Sequence, residues 1–187
     1  MKMDIVASSK FDEFYTPGYA ITPITKYLKP NSRIWCPFDK VESNYVKIFN
    51  ALGHKVIHSH IDNYINFLHN AVCPENIDYI ISNPPYSKKN EVFGKLFDLK
   101  IPFAMLVGVV GVFESQFRFN MFRDNNFEIM YFDKRISYFK NYSDQKPSVN
   151  PPFSSVYICS GILPKQVVFE NLDKKEYNKN LRIGKEV

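Results

Sequence analysis

The chain has 187 residues, 45% of them hydrophobic and 16% aromatic, and a net charge of +5, with a pI near 9.0. That length predicts one domain with a full core and no second one, and since no apolar stretch approaches a membrane span, the composition excludes membrane insertion and predicts a soluble, cytoplasmic protein. Cys36, Cys73 and Cys159 are far apart and odd in number, which excludes a disulfide framework and a zinc site, while the basic balance favours a polyanionic partner.

Hydrophobic spacing predicts an α/β order. Residues 18–29 set Tyr19, Ile21, Ile24, Tyr27 and Leu28 at helical intervals, with Pro23 tolerable in a first turn. Arg33-Ile34-Trp35-Cys36-Pro37 reads as the first strand, residues 44–52 as a helix closed by Gly53, and residues 55–60 as the second strand. This is a strand, helix, strand unit of parallel-sheet type. Residues 79–82 then form a core strand, 89–97 a helix, 102–107 a fully apolar strand, 114–123 a helix, and 127–132 and 154–159 two further strands. The polar, basic, proline-bearing stretch 133–152 reads as a functional loop or hairpin insertion, and a charged tail starts near residue 170. His54, His58, His60 and His69 have no acidic or cysteine partner at ligand spacing, so no metal is assigned.

The most informative segment is Asn83-Pro84-Pro85-Tyr86, directly after the strand at 79–82. Consecutive prolines cannot continue a helix and push the residue before them into extended backbone, so the strand stops in a stiff turn. The Asn83 side-chain oxygen and the Pro84 carbonyl are two acceptors that can take both N–H groups of a planar amine, and Tyr86 offers a ring on which its heterocycle can stack. A base handled this way comes out of its duplex stack or from a single strand.

The tetrapeptide resembles the Asp/Asn-Pro-Pro-Tyr/Phe/Trp motif of amino-methyltransferases that use S-adenosylmethionine, in the form typical of adenine-specific DNA methyltransferases. The resemblance spans about residues 11–165 and looks closest to small phage- or prophage-encoded members. It implies a Rossmann-like fold in one domain, a mixed, mostly parallel sheet with helices on both faces, and a direct displacement at the sulfonium methyl with Asn83, Pro84, Pro85 and Tyr86 as the catalytic turn. The upstream Phe14-Tyr15-Thr16-Pro17 looks like the element that closes over the methionine end of the cofactor. The resemblance further implies cofactor contacts at Pro37, Phe38, Asp39 and Glu42 after the first strand, at Asp62 after the second, and at Asn66, which stands where the family often has an aspartate. Phe153, with Tyr138 and Phe139 behind it, would supply a second stacking ring. Lys88, Lys89, Lys134, Arg135, Lys140 and Lys146 would contact phosphates of DNA, supplied as a duplex with a flipped base or as a single strand, in a bacterial or phage-infected cell.

The chain departs from the family pattern at the first-strand loop, where Lys40 and Glu42 replace glycines; side chains there cannot come as close to a ligand as a glycine loop. Two other functions therefore stand beside adenine methylation: a methyltransferase scaffold that has lost its cofactor and serves as a phage-encoded inhibitor or accessory binding protein, and methylation of RNA or of a protein glutamine. With no separate target-recognition domain expected, sequence choice would come from the loop at 133–152, from the termini or from another subunit; a companion specificity subunit or a homodimer is the expected protein partner.

Overall fold

Strands covered on both faces must be apolar at nearly every position, and the central strands here are. The computed structural model describes residues 15–143, 145–147 and 153–175. Its strands are β1 (Arg33–Cys36), β2 (Lys55–His58), β3 (Tyr79–Ser82), β4 (Phe103–Gly108), β5 (Glu128–Phe132), β6 (Ser155–Ser160) and β7 (Val167–Glu170), and its helices α1 (Gly18–Thr25), α2 (Asn44–Ala51), α3 (Lys89–Leu99) and α4 (Gln116–Arg123). The strands form one sheet in the order β2-β1-β3-β4-β6-β5-β7. Neighbours run parallel except at β6, which is antiparallel to both β4 and β5.

Side chains alternate between two cores because successive strand residues point to opposite faces. Ile34, Cys36, Ile81 and Leu106 pack on one face against Ile21 and Ile24 of α1 and Tyr45 and Phe49 of α2. Trp35, Ile80, Met105 and Val107 pack on the other against Val92, Phe93 and Leu96 of α3 and Phe122 of α4. The expected α/β architecture, a mostly parallel mixed sheet with helices on both faces, is therefore the one observed. No helix among the described residues is long and apolar enough to cross a membrane.

Three local expectations need correction. The helix placed at 18–29 starts at Gly18 as expected but ends at Thr25, and Pro23 lies inside it and not in its first turn, where the ring removes a ladder hydrogen bond and the buried Ile21 and Ile24 hold the helix to the core. The second strand stops at His58, because His60 turns the chain by accepting a hydrogen bond from Asp62 N at 3.1 Å. β7 was not anticipated. Only Val168 is buried in it, so it shows almost no periodicity, and parallel pairing with β5 defines it. The core accordingly continues past residue 165 to Val168 and Leu172. Gly53 has the expected helix-ending conformation, at φ +83°, and the described part of 133–152 holds no named strand, with an isolated bridge joining Phe139 to Tyr15.

Leu106 is fully buried at the middle of the sheet. Leu106→Ala should cost about 2–5 kcal/mol of unfolding free energy, measured by urea titration.

Candidate functional site

The chain leaves β1 towards β2 and later returns to place β3 on the other side of β1. Ligands in open parallel sheets gather at the carboxyl ends of strands that flank such a switch. Asp39 stands there, buried, and binds the two strand ends together. Its Oδ1 accepts from Ser43 Oγ at 2.5 Å and its Oδ2 from Ser82 Oγ, the last residue of β3. Ser43 is also the N-cap of α2, accepting from Tyr45 N at 3.2 Å. Burial pushes the Asp39 carboxyl up to about 6, against the opposing effect of the two serine hydroxyls.

Asn83 follows Ser82 directly. Its Nδ2 donates to Thr16 Oγ1 at 3.2 Å, which turns the buried Oδ1 away from Thr16. Thr16 is held in turn, its carbonyl accepting from Asn44 Nδ2 at 2.9 Å. Tyr15 pairs with Phe139 through backbone hydrogen bonds of 3.2 Å in both directions and meets the Tyr142 ring edge-on at 4.5 Å. The loop after β5 thus folds back over the segment that precedes α1.

These elements surround a cavity of about 550 Å³. Tyr15, Thr16, Pro37, Phe38, Asp39, Asn66, Asn83, Pro85 and Lys88, all singled out from sequence, line it. The stretch 65–69 supplies one wall, with Phe67 in edge contact with Phe38 at 5.1 Å. Asn66 Oδ1 accepts from Leu68 N at 2.9 Å, so the amide first shapes its own turn. Lys95 of α3 staples this wall, donating to Ala71 O at 3.3 Å and to Phe67 O, with its ammonium 4.8 Å from the Phe67 ring centre.

Tyr86 opens a 3₁₀ turn, Tyr86–Lys88, after the two prolines. Its ring centre lies 5.7 Å from that of Phe153, tilted by 56°, so the two aromatics expected to stack a base are neighbours. Phe153 rests on the last residue of β4: a Cβ at Gly108 would stand 2.6 Å from its ring. Only glycine leaves space for that approach.

The remaining sequence-derived residues are placed differently. Phe14 lies outside the described residues. Pro17 is buried and is the N-cap of α1. Glu42 is exposed and does not line the cavity. Asp62, also outside the lining, forms an ion pair with Lys40, whose hydrogen bond pulls the carboxyl below its ordinary range. Tyr138 and Phe139 are fully buried and have no face open for stacking a base: Tyr138 packs in the core, and Phe139 stacks on Tyr15 and meets the Tyr142 ring edge-on. Lys89 donates to Tyr86 O at 3.0 Å, Lys134 pairs with Asp133 at 2.9 Å, and Arg135, Lys140 and Lys146 are exposed.

No family model and no curated protein matches this chain. A modification subunit of a putative type I restriction enzyme from Vibrio vulnificus YJ016 is similar in structure, with 12% identity and a TM-score of 0.46 over 97% of this chain. This chain spans 55% of that protein's length. A likeness of that degree carries no argument about function, and the site must speak through its residues.

The lining residues that the sequence did not single out are His60, Ile61, Ile65, Phe67, Leu68, His69, Ser87, Glu91, Lys95 and Tyr142. Glu91 and Lys95 were accessible in principle, being four apart on the helix that follows the Asn-Pro-Pro-Tyr turn and hence on one face of it. Tyr142 was not, since only the folding back of its loop brings it in.

The raised carboxyl makes a signed prediction. A carboxyl at about 6 in the fold and near 3.8 in the unfolded chain contributes stability that is full below pH 3.8 and lost as pH rises through 6. Relative to Asp39→Asn, the parent should lose about 2 kcal/mol between pH 4 and pH 7. Paired urea titrations at four pH values check this, and a difference independent of pH would contradict it.

Proposed function

We propose that this chain is an S-adenosylmethionine-dependent methyltransferase that modifies the exocyclic amine of adenine in DNA. The observation that carries the reading is the Asn-Pro-Pro-Tyr turn at the carboxyl end of β3, with Asn83 and Pro85 on the wall of a cavity that Tyr15, Thr16, Pro37, Phe38 and Asp39 also line.

The cavity fits the cofactor in size and chemistry. Its volume is within the range of small-molecule sites, and Phe38, Ile61, Phe67 and Leu68 form an apolar wall suited to an adenine ring, with Asn66 and His60 as polar contacts. Asp39 and Thr16 stand nearest the catalytic turn and suit the polar methionine end. When bound, the cofactor supplies an electrophilic methyl group on a sulfonium. The protein's own contribution is placement: Asn83 Oδ1 and the Pro84 carbonyl accept the two amine N–H groups, which directs the nitrogen lone pair outward, and Tyr86 and Phe153 flank the base. Positioning of this kind is worth several kcal/mol without any covalent intermediate. Thr16 and the Ser82–Asp39 bond fix Asn83 before substrate arrives. The exposed Lys140 and Lys146, with Lys88, Lys134 and Arg135, would hold phosphates, a contact that supplies affinity without sequence choice.

One observation favours the scaffold reading instead. Lys40, where the family has glycine, occupies Asp62, the carboxylate nearest the place where cofactor ribose hydroxyls are usually received. Calorimetry with S-adenosylhomocysteine decides between the two: the enzyme reading expects saturable heat, and no heat at millimolar ligand overturns it.

Asn83→Ala should lower methyl transfer to DNA about a hundredfold or more, through the loss of about 3–4 kcal/mol of transition-state stabilisation, while S-adenosylhomocysteine affinity stays near that of the parent. Lys140→Ala and Lys146→Ala should each weaken DNA binding about equally on all sequences and flatten its salt slope by about one unit. Affinities measured across a salt series, on a duplex and on a single strand, test that surface.

A further inference from the structure

Tyr86 is anchored at both ends. Its carbonyl accepts from Lys89 Nζ at 3.0 Å, and its hydroxyl lies 3.0 Å from that of Tyr138. Tyr138 already donates its single hydroxyl hydrogen to Ser155 Oγ at 2.8 Å. The proton between the tyrosines therefore comes from Tyr86, and Tyr138 is the acceptor. Tyr138 is fully buried and Ser155 nearly so, so the inner end of this short chain of hydroxyls is shielded from water, where a hydrogen bond is strongest and a missing one most costly, while Tyr86 at its outer end is half-buried. Burial pushes the Tyr138 hydroxyl well above its ordinary range, which keeps it neutral. Phe153 has no comparable polar tether, and its ring is tilted against Tyr86 in an arrangement that leaves no flat slot between them.

We propose that Tyr138 is a positioning residue for base recognition. Through its hydroxyl it fixes the Tyr86 ring as the stationary jaw on which a planar nucleobase stacks, and Phe153 is the jaw that yields. The proposal rests on the reading of the Asn-Pro-Pro-Tyr turn as a base-stacking site. Base stacking alone is worth on the order of tenfold or more in affinity, and an orienting hydrogen bond controls part of it.

The test is a double-mutant cycle on a ratio that removes the contribution of phosphate charge: affinity for an all-adenine DNA single strand over affinity for an abasic strand of the same length. Tyr86→Phe keeps the ring and loses the hydroxyl, and Tyr138→Phe does the same at the other end. Each should lower the ratio about two- to tenfold, and the double variant should fall no further than either single one. A purely structural role for Tyr138 would lower the melting temperature and leave the ratio unchanged, and that result overturns the proposal, as do additive losses. If Tyr138→Phe does not fold, Tyr86→Phe, which retains the buried Tyr138–Ser155 bond, decides alone: an unchanged ratio overturns it. A parent protein with no preference for adenine over abasic strand also overturns it. A parent that prefers adenine and follows the cycle, yet transfers no methyl group, supports this inference and defeats only the enzyme reading.

Discussion

The carboxyl of Asp39, accepting hydrogen bonds from Ser43 and Ser82, is the constraint on which the site depends. One side chain joins the end of β1, the end of β3 and the first turn of α2, three elements that meet where the sheet changes direction of growth. A buried carboxyl is destabilising unless it is well hydrogen-bonded, and here both oxygens are used. What the fold gains in return is register: Ser82 cannot slide without breaking the bond, and Asn83 is the next residue. The same bond explains why the site needs no long loop to aim its amide.

The sheet and most of its elements could be read from the sequence because buried parallel strands announce themselves as apolar runs, and helices with one buried face as periodic ones. β3 and β4 were placed to within a residue for that reason. The limits lay where pairing, not pattern, makes the structure. β7 has one inward side chain, and α1 starts before its proline because two isoleucines, Ile21 and Ile24, are buried at its centre. The candidate site divides along the same line. Residues that follow a strand end, such as Pro37, Phe38, Asp39 and Asn83, converge because strand ends converge. Ile61 reaches the cavity from a one-turn 3₁₀ helix and Phe67 and Tyr142 from irregular backbone, for which one sequence carries no comparable signal.

The loop after β1 shows how a chain can lack glycines and still keep a cavity. Lys40 does not fill the space near Asp39; its side chain reaches to Asp62, on the segment after β2. The ammonium is held there, outside the cavity lining, by an ion pair between partly exposed groups, an arrangement that is weak in water and sensitive to salt. A ligand hydroxyl seeking Asp62 would therefore have to displace Lys40 from it.

The reversed direction of β6 has a consequence for how the site comes into being. Ser155, at its start, pairs with Gly108, at the end of β4, so Phe153 arrives on the same rim as Tyr86; a strand entering in the common direction would have delivered it to the opposite rim. Tyr138, which reaches Tyr86, also donates to Ser155, so the chain of hydroxyls is complete only with β6 present. β6 also lies between β4 and β5 in the sheet, which makes it the wedge that joins the two halves. The aromatic pair is therefore a readout of completed assembly: a ribosome-bound chain that has emerged only as far as β5 holds the Asn-Pro-Pro-Tyr turn but not the contact between Tyr86 and Phe153, which forms only once β6 has joined the sheet.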